Sequence, residues 1–390
     1  MLDLNRLRRD TPGCRDRVFL DSAGSSLPPQ PVLDTVIGHL RREAEVGGYV
    51  AADERADALT AVRTSVARLI GAAPGEVALV DSATRAWNTF VGAVPFAPGD
   101  RILVSQVEYA SNAITALRRA HDTGAVVEVV PSTPDGRIDL GALDDLFDER
   151  VRLVSLVHAP TNGGLVNPVR EVVEIAHRYG ALVLLDACQS VGQIPVDVTE
   201  LGVDALSATG RKWLRGPRGT GFLHVRDELV AQLEPTSLDL HSAEWTGPGT
   251  YRPASDATRF ELWEYDVAAR LGLGAAVDYL LDIGIDAAAT AIADRAGKIR
   301  RGLDAVPGVT VRDLGTDRSG IVTFTVDAAD PHTVRDLLAR QQITVTVSGR
   351  SSTLLDMSAR GLDSVVRASP HYFVSDDDLD RFLTAVAGIR

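Results

Sequence analysis

The stretch Leu182-Val-Leu-Leu-Asp-Ala-Cys-Gln189, followed by Ala205-Leu-Ser-Ala-Thr-Gly-Arg-Lys212, decides how this chain folds. Each half opens with an apolar run of strand length and ends abruptly in polar and glycine-rich residues. An apolar run too short for a helix, with no polar alternation, reads as a strand covered on both faces. Working outward, Val77–Val80, Arg101–Ser105, Val126–Val130 and Leu153–Val157 repeat the pattern upstream, and Gly221–Val225 repeats it downstream. Amphipathic stretches at Thr84–Val94, about Tyr109–His121 and Val169–Tyr179 separate them, which predicts βαβ units and a mainly parallel sheet. In such sheets ligands collect beyond the carboxyl ends of the strands.

Past this region, residues 234–256 are rich in Pro, Gly, Ser and Thr and read as an irregular loop. Helical patterns at Val267–Leu281 and Ala287–Leu303 follow. Strands at Val309–Val311, Ile321–Val326 and Ile343–Val347, with helices near 332–340 and 376–387, then form a second α/β unit. The fold class is therefore α/β. Residues 15–260 are expected to form a large domain, and residues 1–14 with 261–390 a smaller one carrying an N-terminal arm.

The chain has 390 residues and a formal charge of −13, with 45% hydrophobic residues. That composition is globular, and its acidity argues against a nucleic-acid partner. No apolar run is long enough to span a bilayer, and no secretory signal is visible. Two cysteines, Cys14 and Cys188, exclude a disulfide scaffold and a cysteine-based zinc site. A soluble cytoplasmic protein binding no metal is the expectation.

Of 40 basic residues only Lys212 and Lys298 are lysine. Arginine does not form an imine near neutral pH, so Schiff-base chemistry has two candidates. Lys212 follows a sheet strand, whereas Lys298 lies in a charged helical stretch. Asp186 ends another strand, and Asp81-Ser-Ala-Thr84 opens a helix whose free N–H groups suit a phosphate. A lysine, a carboxylate and a phosphate cradle on one sheet edge are what pyridoxal 5′-phosphate requires.

These segments resemble the class V branch of fold-type I pyridoxal-phosphate enzymes. The likeness runs from Phe19-Leu-Asp-Ser-Ala-Gly24 to Arg367-Ala-Ser-Pro-His-Tyr-Phe373 and is sharpest at Asp186-x-x-Gln189 and Thr209-Gly-Arg-Lys212. It implies that Lys212 forms the cofactor imine and acts as catalytic base, and that Asp186 pairs with the ring nitrogen. It also implies that Gln189 meets the ring oxygen, that Ala83, Thr84 and Thr209 hold the phosphate, and that Tyr109 stacks on the ring. Asn162 would lie near the cofactor and substrate, Arg367 would clamp the substrate α-carboxylate, and Arg350 would reach the substrate. A homodimer acting on a small amino acid is implied as well.

Cysteine desulfurases in this branch take up sulfur on a mobile Cys. The matching loop here, Val347-Ser-Gly-Arg-Ser-Ser-Thr353, has Ser352 in its place. In Arg42–Val50 and Arg211–Arg218 the chain is similar to hercynylcysteine sulfoxide lyases of ergothioneine synthesis. The resemblance thus implies β-elimination from a cysteine S-conjugate, with epimerase, aminotransferase, decarboxylating deaminase and desulfurase as rival activities.

Overall fold

Alternate residues of the central strands face two separate apolar layers, which is why those segments read as unbroken hydrophobic runs. In the computed structural model, which describes residues 2–389, Val183 and Leu185 point into one buried cluster. Leu184 between them points into the other. Leu153 and Val154, Ile102 and Leu103, and Phe222 and Leu223 divide in the same way.

The large sheet contains β1 (Val77–Val80), β2 (Arg101–Ser105), β3 (Val126–Val130), β4 (Val151–Val157), β5 (Leu182–Asp186), β6 (Ala205–Thr209) and β7 (Gly221–Val225). Their spatial order is β1-β7-β6-β5-β4-β2-β3. The pairs from β6 through β3 are parallel, while β7 is antiparallel to both β6 and β1. The sheet is therefore mixed at one end. Because β7 reverses direction, β1 again runs with the parallel set, and its carboxyl end opens on the same edge. The chain steps outward from β2 to β3, then returns to place β4 on the other side of β2. That reversal is the topological switch point where α/β sheets hold ligands.

The helices that matter below are α1 (Gln30–Val46), α2 (Ala56–Ile70), α3 (Ala83–Ala93), α4 (Ala110–Thr123), α5 (Val169–Arg178), α6 (Val267–Ile283) and α7 (Ile285–Asp304). Helix α6 packs against α1 and α2. None is long and apolar enough to cross a membrane among the described residues.

A second, antiparallel sheet is built from β8 (Val309–Val311), β9 (Val322–Val326), β10 (Thr346–Gly349) and β11 (Ser364–Ala368), ordered β8-β9-β11-β10. The single strand expected at Ile343–Val347 is split. Ile343–Thr344 pairs in parallel with Val18–Phe19, and only the following residues join the second sheet. Residues 18–22 thus lie against the C-terminal part, where the Ser22 N–H also donates to the Ser369 carbonyl at 3.2 Å. The segment expected as irregular loop over 234–256 contains a hairpin, Ala243–Gly247 with Thr250–Pro253. Its side chains are largely exposed, so no apolar alternation announced it.

Two glycines bring the site segments together. Gly192 has φ +97°, and a Cβ there would stand 2.6 Å from the Trp213 carbonyl carbon. Only glycine allows that turn and that approach of the Asp186 segment to the Lys212 segment. At Gly221 a Cβ would lie 2.7 Å from the Ala208 carbonyl oxygen and 3.0 Å from the Ala83 nitrogen. Its absence lets β7 pass directly beneath the start of α3.

Candidate active site

Asp186 ends β5 as a buried carboxylate, and burying a charge is costly unless both oxygens find donors. Both do. Oδ1 accepts from the Cys188 N–H at 2.9 Å, and Oδ2 accepts from Asn112 Nδ2 at 2.8 Å. Asn112 projects from the first turn of α4, so the β2–α4 connection fixes the carboxylate at the end of β5.

Lys212 follows β6 and is partly accessible. Desolvation by the surrounding protein lowers its pKa below the ordinary lysine value, although Cys188 and Asp186 pull the other way. Arg211 and Arg367 add to the lowering. A lysine in that setting gives up its proton more readily than a solvated one, the property that imine chemistry needs. Among the described residues, the lysine ion pairs belong to Lys298, which meets Asp294 at 3.1 Å and Asp376 at 2.9 Å on the exposed side of α7.

Arg367 comes from β11 and is buried. Its guanidinium donates to Thr161 Oγ1 at 2.7 Å and pairs with Asp21 at 3.2 Å, while Nε is buried without a partner. Thr161 Oγ1 also accepts from Gln189 Nε2 at 3.2 Å. Gln189 in turn accepts from Trp213 Nε1 at 2.9 Å and donates to the Ala23 carbonyl at 3.1 Å. The segments after β4, β5, β6 and β11 therefore converge, with residues 21–24 closing one side.

At the end of β1, Ser82 caps α3 by accepting from the Arg85 N–H at 3.2 Å. The Ala83 and Thr84 amides ahead of it take no protein acceptor among the described residues, leaving an anion-binding turn. Thr209 Oγ1 donates to the Thr220 carbonyl at 3.3 Å, tying β6 to β7 below that turn. Tyr109 caps α4 without a side-chain bond and is close enough to Arg367 to influence it electrostatically. These residues fit pyridoxal 5′-phosphate. The desolvated lysine, the braced carboxylate and the open helix amides stand at the carboxyl ends of β6, β5 and β1, and Arg367 is tied to the same segments through Thr161 and Gln189.

Two residues to which the resemblance gives substrate roles are engaged with other protein groups in this structure. Asn162 is buried, but its amide donates to Thr353 Oγ1 at 2.9 Å and to the Gly349 carbonyl at 3.1 Å, and its oxygen accepts from Ser348. Its contacts hold the 348–353 loop and Met357, while its neighbour Thr161 meets Arg367. In the tight turn after β4, consecutive side chains point in opposite directions, and spacing does not reveal which one faces inward. Arg350 is bound to Asp363 at 2.5 Å and to the Leu362 carbonyl at 3.0 Å, half in solvent. It is a loop charge paired with an exposed aspartate.

The sequence reading gave no role to Asp21, Thr161, Glu108 or Asn112. Glu108 and Asn112 stand four residues apart at the start of α4, a spacing that places both on one side and could have signalled the pair.

Residues 18–382 match the aminotransferase class-V family. A probable cysteine desulfurase of Methanothermobacter thermautotrophicus is 30% identical over 392 residues, covering 98% of each chain. A probable hercynylcysteine sulfoxide lyase of Mycobacterium tuberculosis is 34% identical over 377 residues, covering 95% of this chain and 89% of that one. Among solved structures, the apo cysteine desulfurase of Thermococcus onnurineus NA1 superposes with a TM-score of 0.91 at 25% identity, covering 99% and 98%. With sequence, sheet order and cleft in agreement over nearly the whole length, the chain belongs to the aminotransferase class-V family.

Proposed function

We propose that this protein is a pyridoxal 5′-phosphate-dependent carbon–sulfur lyase that cleaves a cysteine S-conjugate or its sulfoxide by β-elimination. Pyridoxal phosphate, when bound, supplies an electron sink for the pair left when a Cα–H bond breaks. Lys212, whose burial favours the unprotonated amine, would bind that group and would then take up the substrate Cα proton. Asp186 would keep a proton on the pyridine nitrogen, the α3 amides of Ala83 and Thr84 would hold the phosphate, and Tyr109 and Gln189 would contact the ring. Arg367 receives the α-carboxylate, its guanidinium already aimed by Thr161 and Asp21. The Cβ–S bond breaks with its electrons on sulfur. Water then completes conversion of the three-carbon fragment to pyruvate and ammonia.

The observation that carries elimination over persulfide transfer is the state of the thiols. The loop that Asn162 holds contains Ser351 and Ser352 and no cysteine. Burial raises the Cys14 thiol to about 11 and pushes Cys188 higher still. A thiol that stays protonated is a poor sulfur acceptor. The relative named a probable hercynylcysteine sulfoxide lyase supports a bulky S-conjugate as substrate. The proposal includes a cytoplasmic homodimer, because Tyr49, Trp245 and Trp263 stand in solvent in a single copy and a second copy would cover them.

The test uses the purified yellow protein with a panel of cysteine S-conjugates and their sulfoxides. Equimolar pyruvate and ammonia, with the sulfur released into solution, is the expected result. Alanine with an enzyme-bound persulfide would replace this reading by desulfuration.

A further inference from the structure

Glu108 lies just before α4, is only 3% exposed, and has no place in the mechanism above. Its carboxyl is connected to the cleft. Asn112 Nδ2 donates to Glu108 Oε1 at 2.9 Å and to Asp186 Oδ2 at 2.8 Å, so one amide group bridges two buried carboxyl groups. Glu108 Oε1 also accepts from the Tyr109 N–H at 2.8 Å, and Oε2 contacts the hydroxyl of Ser155 on β4. The groups that bear most on Glu108 are these two N–H donors, the Ser155 hydroxyl and the Asp186 charge, and it forms no ion pair among the described residues. Lys212 and Cys188 face Asp186.

Two carboxylates sharing one amide in a dry environment do not both stay charged. Asp186 is the proposed partner of the protonated ring nitrogen, whereas Glu108 has no ion-pair partner among the described residues, so Glu108 is the neutral member. Oε1 already takes two N–H donors, which leaves its proton on Oε2, directed at Ser155 Oγ. A neutral acid accepts from Asn112 without competing for a cation, and the amide is left with one orientation toward Asp186.

We propose that Glu108 is a positioning residue that, as a neutral acid, anchors Asn112 and through it fixes the face of the Asp186 carboxylate presented to the cofactor's ring nitrogen. This rests on the role given to Asp186 in the proposed function. Burial raises Glu108 to about 8, with the Asp186 charge adding to the effect against the hydrogen bonds. Ionisation of Glu108 near that pH places a second negative charge beside Asp186, and the cofactor's visible absorbance should register it.

The experiment reconstitutes wild type, Glu108→Gln and Glu108→Ala with pyridoxal phosphate labelled with 15N in the ring. It records the ring-nitrogen NMR shift at pH 7, the absorbance from pH 6 to 10, and steady-state kinetics. Glutamine reproduces the contacts of the neutral acid, its oxygen accepting from Asn112 and the Tyr109 N–H and its amide donating to Ser155. It should keep the wild-type nitrogen shift and turnover while losing the wild-type spectral inflection near pH 8. Alanine releases Asn112. It should move the nitrogen shift toward the unprotonated value and lower kcat on the order of 10²-fold with KM little changed. A wild-type nitrogen shift in Glu108→Ala, or a persistent inflection in Glu108→Gln, overturns the proposal. If Glu108→Ala does not fold, the Glu108→Gln titration alone decides. Wild type that takes up no cofactor would instead remove the functional reading beneath it.

Discussion

Lys212 after β6 and Lys298 on α7 carry the same amine, yet their surroundings drive it in opposite directions. In the cleft, desolvation dominates and lowers the pKa of Lys212. On the outer helix, hydrogen bonds to Asp376 and Asp294 dominate and raise that of Lys298. One region strips water from a cation and leaves it reactive, and the other fixes a charge that was already comfortable. The sharpest way to break this contrast is to truncate both. Lys212→Ala should abolish the yellow band and reduce turnover by at least the roughly 10²–10⁴-fold that a positioned base supplies. Lys298→Ala should leave absorbance and kcat unchanged and shift stability by about 0.5 kcal/mol or less, as expected for exposed pairs. A borohydride-trappable imine surviving in Lys212→Ala would reverse the assignment.

The same contrast separates the two arginines expected to meet substrate. Arg367 is buried, held by Thr161 and Asp21, with one nitrogen still free. Arg350 is spent on Asp363 near the surface. Arg367→Ala should raise KM sharply, because a desolvated pair with the substrate carboxylate is worth roughly 2–5 kcal/mol. Arg350→Ala should leave KM within about twofold, the scatter of a surface change. Equal effects in the two variants would show that the loop rearranges over the substrate and that this geometry is not the working one.

How much was legible beforehand divides along a physical line. The strands of the large sheet announce themselves because both their faces are buried, so burial writes an unbroken apolar run into the sequence. The residues at their ends were legible by type, since a strand-end Asp, a lone candidate Lys and a helix-opening Ser-Ala-Thr each imply a chemistry. Direction within a turn was not legible. Thr161 and Asn162 are neighbours after β4, and only the backbone decides which one faces Arg367. Nor was the hairpin at 243–253, whose exposed strands have no buried face to impose alternation. Likewise the antiparallel insertion of β7 follows from a connection whose direction apolar content does not encode.

Glu108 extends the comparison to a buried acid, and its effect is read in stability. Its folded-state pKa is about 8 against an ordinary value of 4.5, so the native protein binds a proton that the unfolded chain has released between those values. The stability linked to this proton is complete below about 4.5 and is lost as pH rises through about 8. Glu108→Gln cannot titrate. The urea midpoint of the glutamine variant relative to wild type should therefore climb across that window and level off above it. Parallel midpoints from pH 5 to 9 would mean that the carboxyl is charged throughout.

The smallest effect should come from the group that most resembles a reactive one. Cys188 lies in the cleft beside Asp186 and Lys212, where a thiolate would be the obvious acceptor of sulfur. The physics there works against it. Desolvation and the Asp186 charge both disfavour a second anion, and together they outweigh Lys212 and Arg211. Its backbone N–H holds Asp186 at 2.9 Å, a contact that any side chain retains. Cys14 is buried in the N-terminal arm behind Arg8, Arg215 and Asp378, and its thiol is pushed up to about 11. Replacing both with alanine should cost about 1 kcal/mol of packing per site and leave pyruvate formation within a few fold. Loss of turnover in that double variant, with the yellow band and the melting transition intact, would restore the desulfurase reading. Retention would leave elimination as the reaction for which this cleft has the groups.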